Sequence, residues 1–161
     1  MRRSDQRRGA VFALYQHDLT GRPLSDALGR DAPIFTRALA HAVIDHQDEL
    51  DPIIARHARG WTLDRIAPLE RAILRVALLE MLHPGLVPSD EPISPEGAID
   101  EAVETAKSYS GADAPGFVNG ILAAAKRAHD EEADGGVTGA AGKADGGAAR
   151  ASGEAGPRVV G

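Results

Sequence analysis

Apolar positions recur at three- and four-residue intervals along most of this chain, and no stretch alternates with the two-residue period of a half-buried strand. The fold class that follows is all-α, a compact bundle of six or seven helices. In the first segment Val11, Leu14 and then Asp18 and Leu19 follow a three-four spacing, and Phe12 and Tyr15 widen the stripe. Ser4 or Asp5 stands where a cap belongs, and Gly21-Arg22-Pro23 stops the helix near Thr20. A second periodic run opens at about Pro33 and carries Phe35, Leu39, Ala42, Val43, Leu50, Ile53 and Ile54. Pro52 interrupts it: either a helix restarts there with Asp51 as cap, or one long helix kinks. Gly60-Trp61-Thr62-Leu63 reads as a turn followed by a short helical piece.

Pro68 opens the next helix, which ends before Pro84-Gly85. Between Ala72 and Leu82 only Arg75 and Glu80 are charged, the pattern of a central helix buried nearly all round. Ser94-Pro95-Glu96 combines a cap, a proline at the first position and an acid in the first turn, and predicts a helix to about Tyr109. Asp113-Ala114-Pro115 starts a last one, ending near Asp130.

Composition changes this picture at one end. Nine of the 18 glycines of the 161-residue chain fall after residue 130, in a stretch with no aromatic residue and no apolar period. Such a segment buries too little surface to offset its ordering entropy and is expected to be disordered. The expected organisation is a helical domain over 1–129 and a Gly/Ala-rich tail over 130–161. A domain of that size buries roughly two-thirds of the surface of its unfolded chain, enough for a core.

Absent residue types exclude further classes. There is no cysteine, hence no disulfide scaffold, thiolate nucleophile or thiolate metal site. No apolar run approaches the roughly 20 residues that span a bilayer, and the run from Ala10 to Tyr15 is too short for a signal peptide. A cytoplasmic location is expected. The net charge of −6, half of it in the tail, argues against a globally basic nucleic-acid binder. Residues 1–8 are the exception, with Arg2, Arg3, Arg7 and Arg8 against Asp5 alone.

Catalytic signatures are missing: no Gly-x-Ser-x-Gly, phosphate loop, dinucleotide fingerprint or His-Glu-x-x-His occurs. His41, His46 and His57 share part of a helical face, but not at the three- or four-residue spacing of helical metal sites, and read as core-edge histidines. No metal, cofactor or enzymatic activity is expected. Arg3 and Arg7, four apart, lie on one helix face with Arg8 at its edge and Arg2 at the frayed end. Positive charge at a helix N-terminus opposes the macrodipole. The patch is therefore either a phosphate-contacting surface, suited to the planar guanidinium fork, or a solubilising terminus in a chain with 15 arginines and three lysines. The segment Pro115-Gly116-Phe117-Val118-Asn119-Gly120 costs about 2 kcal/mol in helix propensity. Close packing at Gly120 is one reading of it; a Phe117 exposed for stacking on an unpaired base is another. Glu70, at the third position of the Pro68 helix, serves the helix end in the plain reading.

Four stretches, in order and in register, resemble the NusB family over about residues 2–129. They are Arg7-Arg8-Gly9-Ala10-Val11-Phe12-Ala13-Leu14-Tyr15-Gln16, the run from Leu69-Glu70-Arg71 to Glu80-Met81-Leu82, the run from Ala98 to Lys107, and Phe117-Val118-Asn119-Gly120-Ile121-Leu122. The resemblance implies two packed helical subdomains, no enzymatic activity, and a role in transcription antitermination. It implies pairing with NusE, a protein of the small ribosomal subunit. The pair would bind single-stranded boxA RNA in ribosomal RNA leaders within an RNA polymerase antitermination complex. Position by position, Arg2, Arg3 and Arg7 resemble the family's arginine-rich RNA-binding start. Arg8 stands where an acid is common. Tyr15 and Glu70 resemble positions facing NusE, and Asp113 and Phe117 positions at the RNA-contacting edge. Gly116 stands where lysine is frequent. Three or four neutralised phosphates on a single strand give a salt slope of only about −2 to −3, so a basic partner is expected to supply the rest. Two alternatives stand beside this. The same helical domain precedes ribosomal RNA cytosine methyltransferases, so the chain could be a stand-alone module that recruits RNA, although without cysteine it cannot attack a base. It could also be a homodimeric scaffold with its arginine face buried against a second copy.

Overall fold

A computed structural model describes the backbone of residues 1–155 and the side chains of residues 1–135. Seven α-helices are found among the described residues, with no strand: α1 (Arg3–Thr20), α2 (Leu24–Leu28), α3 (Ile34–Asp45), α4 (Gln47–His57), α5 (Pro68–Leu82), α6 (Pro95–Tyr109) and α7 (Ala114–Ala155). Two short 3-10 turns, Leu63–Arg65 and Pro84–Leu86, flank α5. Met1–Lys126 forms one compact unit and Arg127–Gly161 a second. Helix α7 continues past the end expected near Asp130, through most of the expected tail to Ala155; of that tail, the side chains after residue 135 and all of residues 156–161 lie outside the described residues.

Local signals account for most boundaries. Gly21 ends α1 in the left-handed region at φ 74°, a conformation that side chains with a Cβ rarely adopt. Ser94 caps α6 by accepting the Gly97 N–H at 2.9 Å, with Pro95 in the first turn. Three expectations shift. Neither Ser4 nor Asp5 caps α1, because Arg2 occupies the cap position and both side chains are engaged elsewhere. Helix α2 carries no signal beyond a five-residue amphipathic turn and was not expected. The long second run breaks at His46, which has φ −112° and ψ 12°, and Pro52 lies inside α4. The proline is tolerated because it faces solvent, as does Asp48, whose carbonyl loses its partner N–H.

Helix α5 is the hub. It packs on α1, α3, α4 and α6. Every residue from Ala72 to Met81 is buried, and Leu39, Leu50, Ile54, Leu74, Leu78 and Leu122 are fully so. Its two mid-helix charges are both paired. Glu80 accepts from Arg7 Nε at 2.6 Å and from its Nη2 at 2.9 Å. Arg75 donates to Asp51 of α4 at 2.7 and 3.0 Å. Near the other end of α5, Arg71 meets Asp18 of α1 at 2.9 Å. The pairs Arg7–Glu80 and Asp18–Arg71 therefore set α1 and α5 antiparallel. Contacts from Ser4 to Glu101 (2.8 Å) and from Phe12 to Tyr109 (ring centroids 5.0 Å apart) set α1 and α6 parallel. At Gly9 a Cβ would stand 3.3 Å from Thr36 Cγ2, so the missing side chain lets α3 approach α1 closely. Thr36 Oγ1 donates to the Gln6 carbonyl there at 2.8 Å.

Candidate nucleic-acid interface

The four N-terminal arginines read alike in sequence, and the fold gives them different fates. Arg2 and Arg3 are exposed. Arg2 makes only a loose 3.6 Å contact with Asp5, its side chain 80% accessible. The Arg3 guanidinium lies 4.1 Å from the centroid of the Phe35 ring and donates to Gln6 Oε1 at 3.1 Å. That cation–π contact anchors the stem while leaving the rest of the guanidinium fork in solvent. Arg8 is largely covered and donates to Asp5 Oδ1 at 2.6 Å, which holds the Asp5 carboxyl below its ordinary range. Arg7 is buried, bidentate on Glu80, with Glu101 at 3.8 Å. Its guanidinium is committed to the interior and is not on the surface that Arg2 and Arg3 present.

A groove of about 370 Å³ lies at the far end of α1, where the Trp61 turn, the start of α5 and the start of α7 meet. Its lining brings together Glu70, Asp113 and Phe117, three of the residues singled out in the sequence, and adds Trp61, Arg65 and Ile66. Phe117 is half-buried, and its ring meets Trp61 edge-on at 6.1 Å between centroids. Trp61 is 50% exposed and Arg65 stacks on it at 5.9 Å. Burial raises the Glu70 carboxyl above its usual range. Asp113 is exposed at the rim. Gly116, Asn119 and Gly120 are exposed beside it, and a Cβ at either glycine would meet nothing within 4 Å. Close helix packing therefore does not explain Gly120; these positions leave a bare strip of helix next to the groove.

Tyr15 is half-buried on α1. Asp18, one turn further on, pairs with Arg71, the neighbour of Glu70, so the Tyr15 end of α1 adjoins the start of α5. The sequence-derived residues thus fall into two places. Arg2 and Arg3 sit at one end of α1. Tyr15, Glu70, Asp113 and Phe117 gather at the other, about 15 Å away by the ten residues of α5 between Glu70 and Glu80. The α1–α6 seam joins them, with Arg8 and Phe12 on the α1 stripe and Tyr109, 52% exposed, on α6.

Trp61 and Arg65 line the groove and are not among the residues singled out in the sequence. The signal was present: the one tryptophan of the chain lies in a Gly-led turn rather than on an apolar stripe. Among the described residues no group of three or more His, Asp or Glu side chains is placed to hold a metal ion. His46 and His83 stack at 5.0 Å, with His83 Nε2 at 2.7 Å from Glu49, and His41 is exposed on its own. No helix among the described residues is long and apolar enough to cross a membrane.

Comparison with known proteins places this geometry in a family. The profile of the NusB family matches residues 4–127. The transcription antitermination protein NusB of Halalkalibacterium halodurans is 37% identical over 135 residues, spanning 80% of this chain and 96% of that protein. Its counterpart in Rubrobacter xylanophilus is 38% identical over 132 residues, spanning 78% and 91%. The crystal structure of the antitermination factors NusB and NusE in complex with double-stranded RNA contains a similar chain. Its TM-score is 0.65 at 28% identity, covering 78% of this chain and 96% of that one. On the match across its helical core, the chain belongs to the NusB family, the family of the transcription antitermination protein.

Proposed function

We propose that this chain is a transcription antitermination factor that binds the boxA element of ribosomal RNA leaders together with NusE. The observation that carries the reading is the gathering of Glu70, Asp113 and Phe117 in one groove, joined to the exposed Arg2–Arg3 pair by the α1–α6 seam. Arg2 and Arg3 meet phosphates, with Arg8 at the edge of the same strip. Arg7 acts from behind, through Glu80, by fixing the start of α1. Asp113 and Phe117 meet a base, and Tyr15 and Glu70 face NusE. Glu70 suits a basic partner: its ionised form is disfavoured by burial, and an incoming cation would reverse that. The chain works as a binding protein in the cytoplasm, within the antitermination complex of RNA polymerase.

With only Arg2 and Arg3 of the four N-terminal arginines exposed on that strip, and a net charge of −6, the chain is a weak RNA binder alone, so affinity and selectivity belong to the heterodimer. A homodimeric scaffold is the competing reading, in which the Arg2–Arg3 surface is buried against a second copy. Sedimentation of the chain alone, with NusE, and with NusE plus boxA RNA separates the two. A one-to-one complex with NusE that takes up single-stranded boxA in preference to a duplex of the same sequence supports the proposal. A homodimer that neither NusE nor RNA dissociates rejects it.

A further inference from the structure

Trp61 has no evident reason to be where it is. A tryptophan left half-exposed in a turn forgoes much of its burial free energy, yet the turn beneath it is firmly held. Arg71 donates to the carbonyls of Leu63 at 3.2 Å, Asp64 at 3.4 Å and Ile66 at 2.8 Å, while its other nitrogens engage Asp18. Hydrogen bonding from Thr62 to Asp64 further pins the turn and lowers the Asp64 carboxyl pKa. A rigid mount under an exposed aromatic ring is a pre-organised binding surface.

The groove in front of the ring has the polarity of a nucleobase site. Its faces are aromatic, from Trp61 and Phe117. Its carboxylates, Glu70 and Asp113, outnumber its one guanidinium, Arg65. A phosphate is therefore repelled from the groove floor. A flat neutral ring with N–H donors is accepted, stacking on an aromatic face and donating an exocyclic amine to a carboxylate. Arg65 lies against Trp61, where it can pair with the phosphate of the same nucleotide.

We propose that the Trp61 ring, with Phe117 edge-on beside it, forms an aromatic corner that takes one unpaired base of the bound RNA, with Arg65 holding the phosphate beside it and Asp113 accepting from an N–H of the base. This rests on the functional reading above and adds to it a second aromatic ring and a phosphate contact.

Because Trp61 is the only tryptophan in the chain, its fluorescence reports directly on the pocket. The probe is single-stranded boxA RNA added to the preformed heterodimer with NusE. Anisotropy of the labelled RNA is read in parallel, and a Trp61→Phe heterodimer subtracts any signal from NusE. RNA should quench Trp61 emission over the concentration range in which anisotropy rises. Trp61→Ala should weaken binding by between about 5-fold and about 150-fold, the range of one lost base stack. Trp61→Phe should keep most of the affinity, and Arg65→Ala should reduce the salt slope by about 0.7. Melting midpoints of the free variants control for folding. Full RNA affinity in Trp61→Ala overturns the inference and leaves the functional reading intact, as does RNA binding without quenching. A fluorescence change completed by NusE alone assigns the pocket to the protein partner and also overturns it. Absence of RNA binding by the wild-type heterodimer defeats the functional reading, and this inference with it.

Discussion

Arg3 and Arg7, four residues apart, do opposite work. Arg7 neutralises Glu80 inside the core, where both side chains are less than one-tenth exposed. Removing one partner of such a pair strands a buried charge and costs about 3–5 kcal/mol, whereas replacing both by apolar residues costs much less. Urea denaturation should therefore find Arg7→Met far less stable than wild type, with the double variant Arg7→Met, Glu80→Leu recovering most of the loss. Equal stabilities for the two variants would contradict the pairing. Arg3→Ala should cost no more than about 1 kcal/mol, the worth of an exposed cation–π contact, and act on RNA affinity instead. Sequence alone could not separate these two arginines, because the acid that claims Arg7 lies 73 positions away. The clue was indirect: Glu80 is an isolated acid in an apolar run. Glu70 gives a second prediction at this scale. Burial raises its folded pKa above the unfolded value, so the native state takes up its proton more readily. The stability from this group is fully present below the ordinary glutamate range and is lost as pH rises through the raised value. Glu70→Gln should consequently be at least as stable as wild type at neutral pH, with the difference vanishing on acidification, while its affinity for NusE falls. A variant less stable than wild type at neutral pH would refute this.

Elements with local start and stop chemistry were legible. The Ser94-Pro95 start of α6, the Pro68 start of α5 and the Gly21 stop of α1 all fall where their residues place them. Boundaries set by tertiary packing were not. The break at His46 has no punctuating residue, and Pro52 misled because its cost depends on whether the orphaned carbonyl faces water. Helix α5 shows how one element organises the site. Its apolar centre forms the core, Glu80 fixes the start of α1, and Arg71 ties the end of α1 to the turn bearing Trp61. Arg71→Ala should cost about 2 kcal/mol, as expected for charge-assisted bonds lost at a partly covered site. It should also shift the Trp61 emission towards longer wavelength as the turn loosens. Unaltered emission would show that the turn holds itself. Ser94→Ala, by contrast, removes a cap worth about 1 kcal/mol at an end of α6 remote from the groove, and should leave Trp61 emission alone.

For the whole molecule, function follows from how few cations reach the surface strip. With Arg7 internal and Arg8 largely covered, Arg2 and Arg3 remain as the exposed arginines of the N-terminal strip, and Arg65 as that of the groove. With Arg65 as a third contact, three neutralised phosphates on a single strand correspond to a salt slope of about −2.1, still lower than the four-arginine reading of the sequence suggested. In the proposed complex the chain supplies shape, an aromatic groove and a register along α1, and leaves most of the electrostatic attraction to NusE. The layout of the candidate site was not legible in the sequence. Glu70, Asp113 and Phe117 could be named from the family resemblance, but that they share one groove depends on where α7 starts relative to α5. The measurement that tests this account most directly is fluorescence anisotropy of labelled boxA RNA and of a scrambled control. Each is titrated with this chain, with NusE and with the equimolar mixture. The account predicts tight, selective binding only for the mixture, reduced by Arg2→Ala with Arg3→Ala in a heterodimer that still forms. Selective binding by the isolated chain equal to that of the mixture, or no gain on adding NusE, would contradict it.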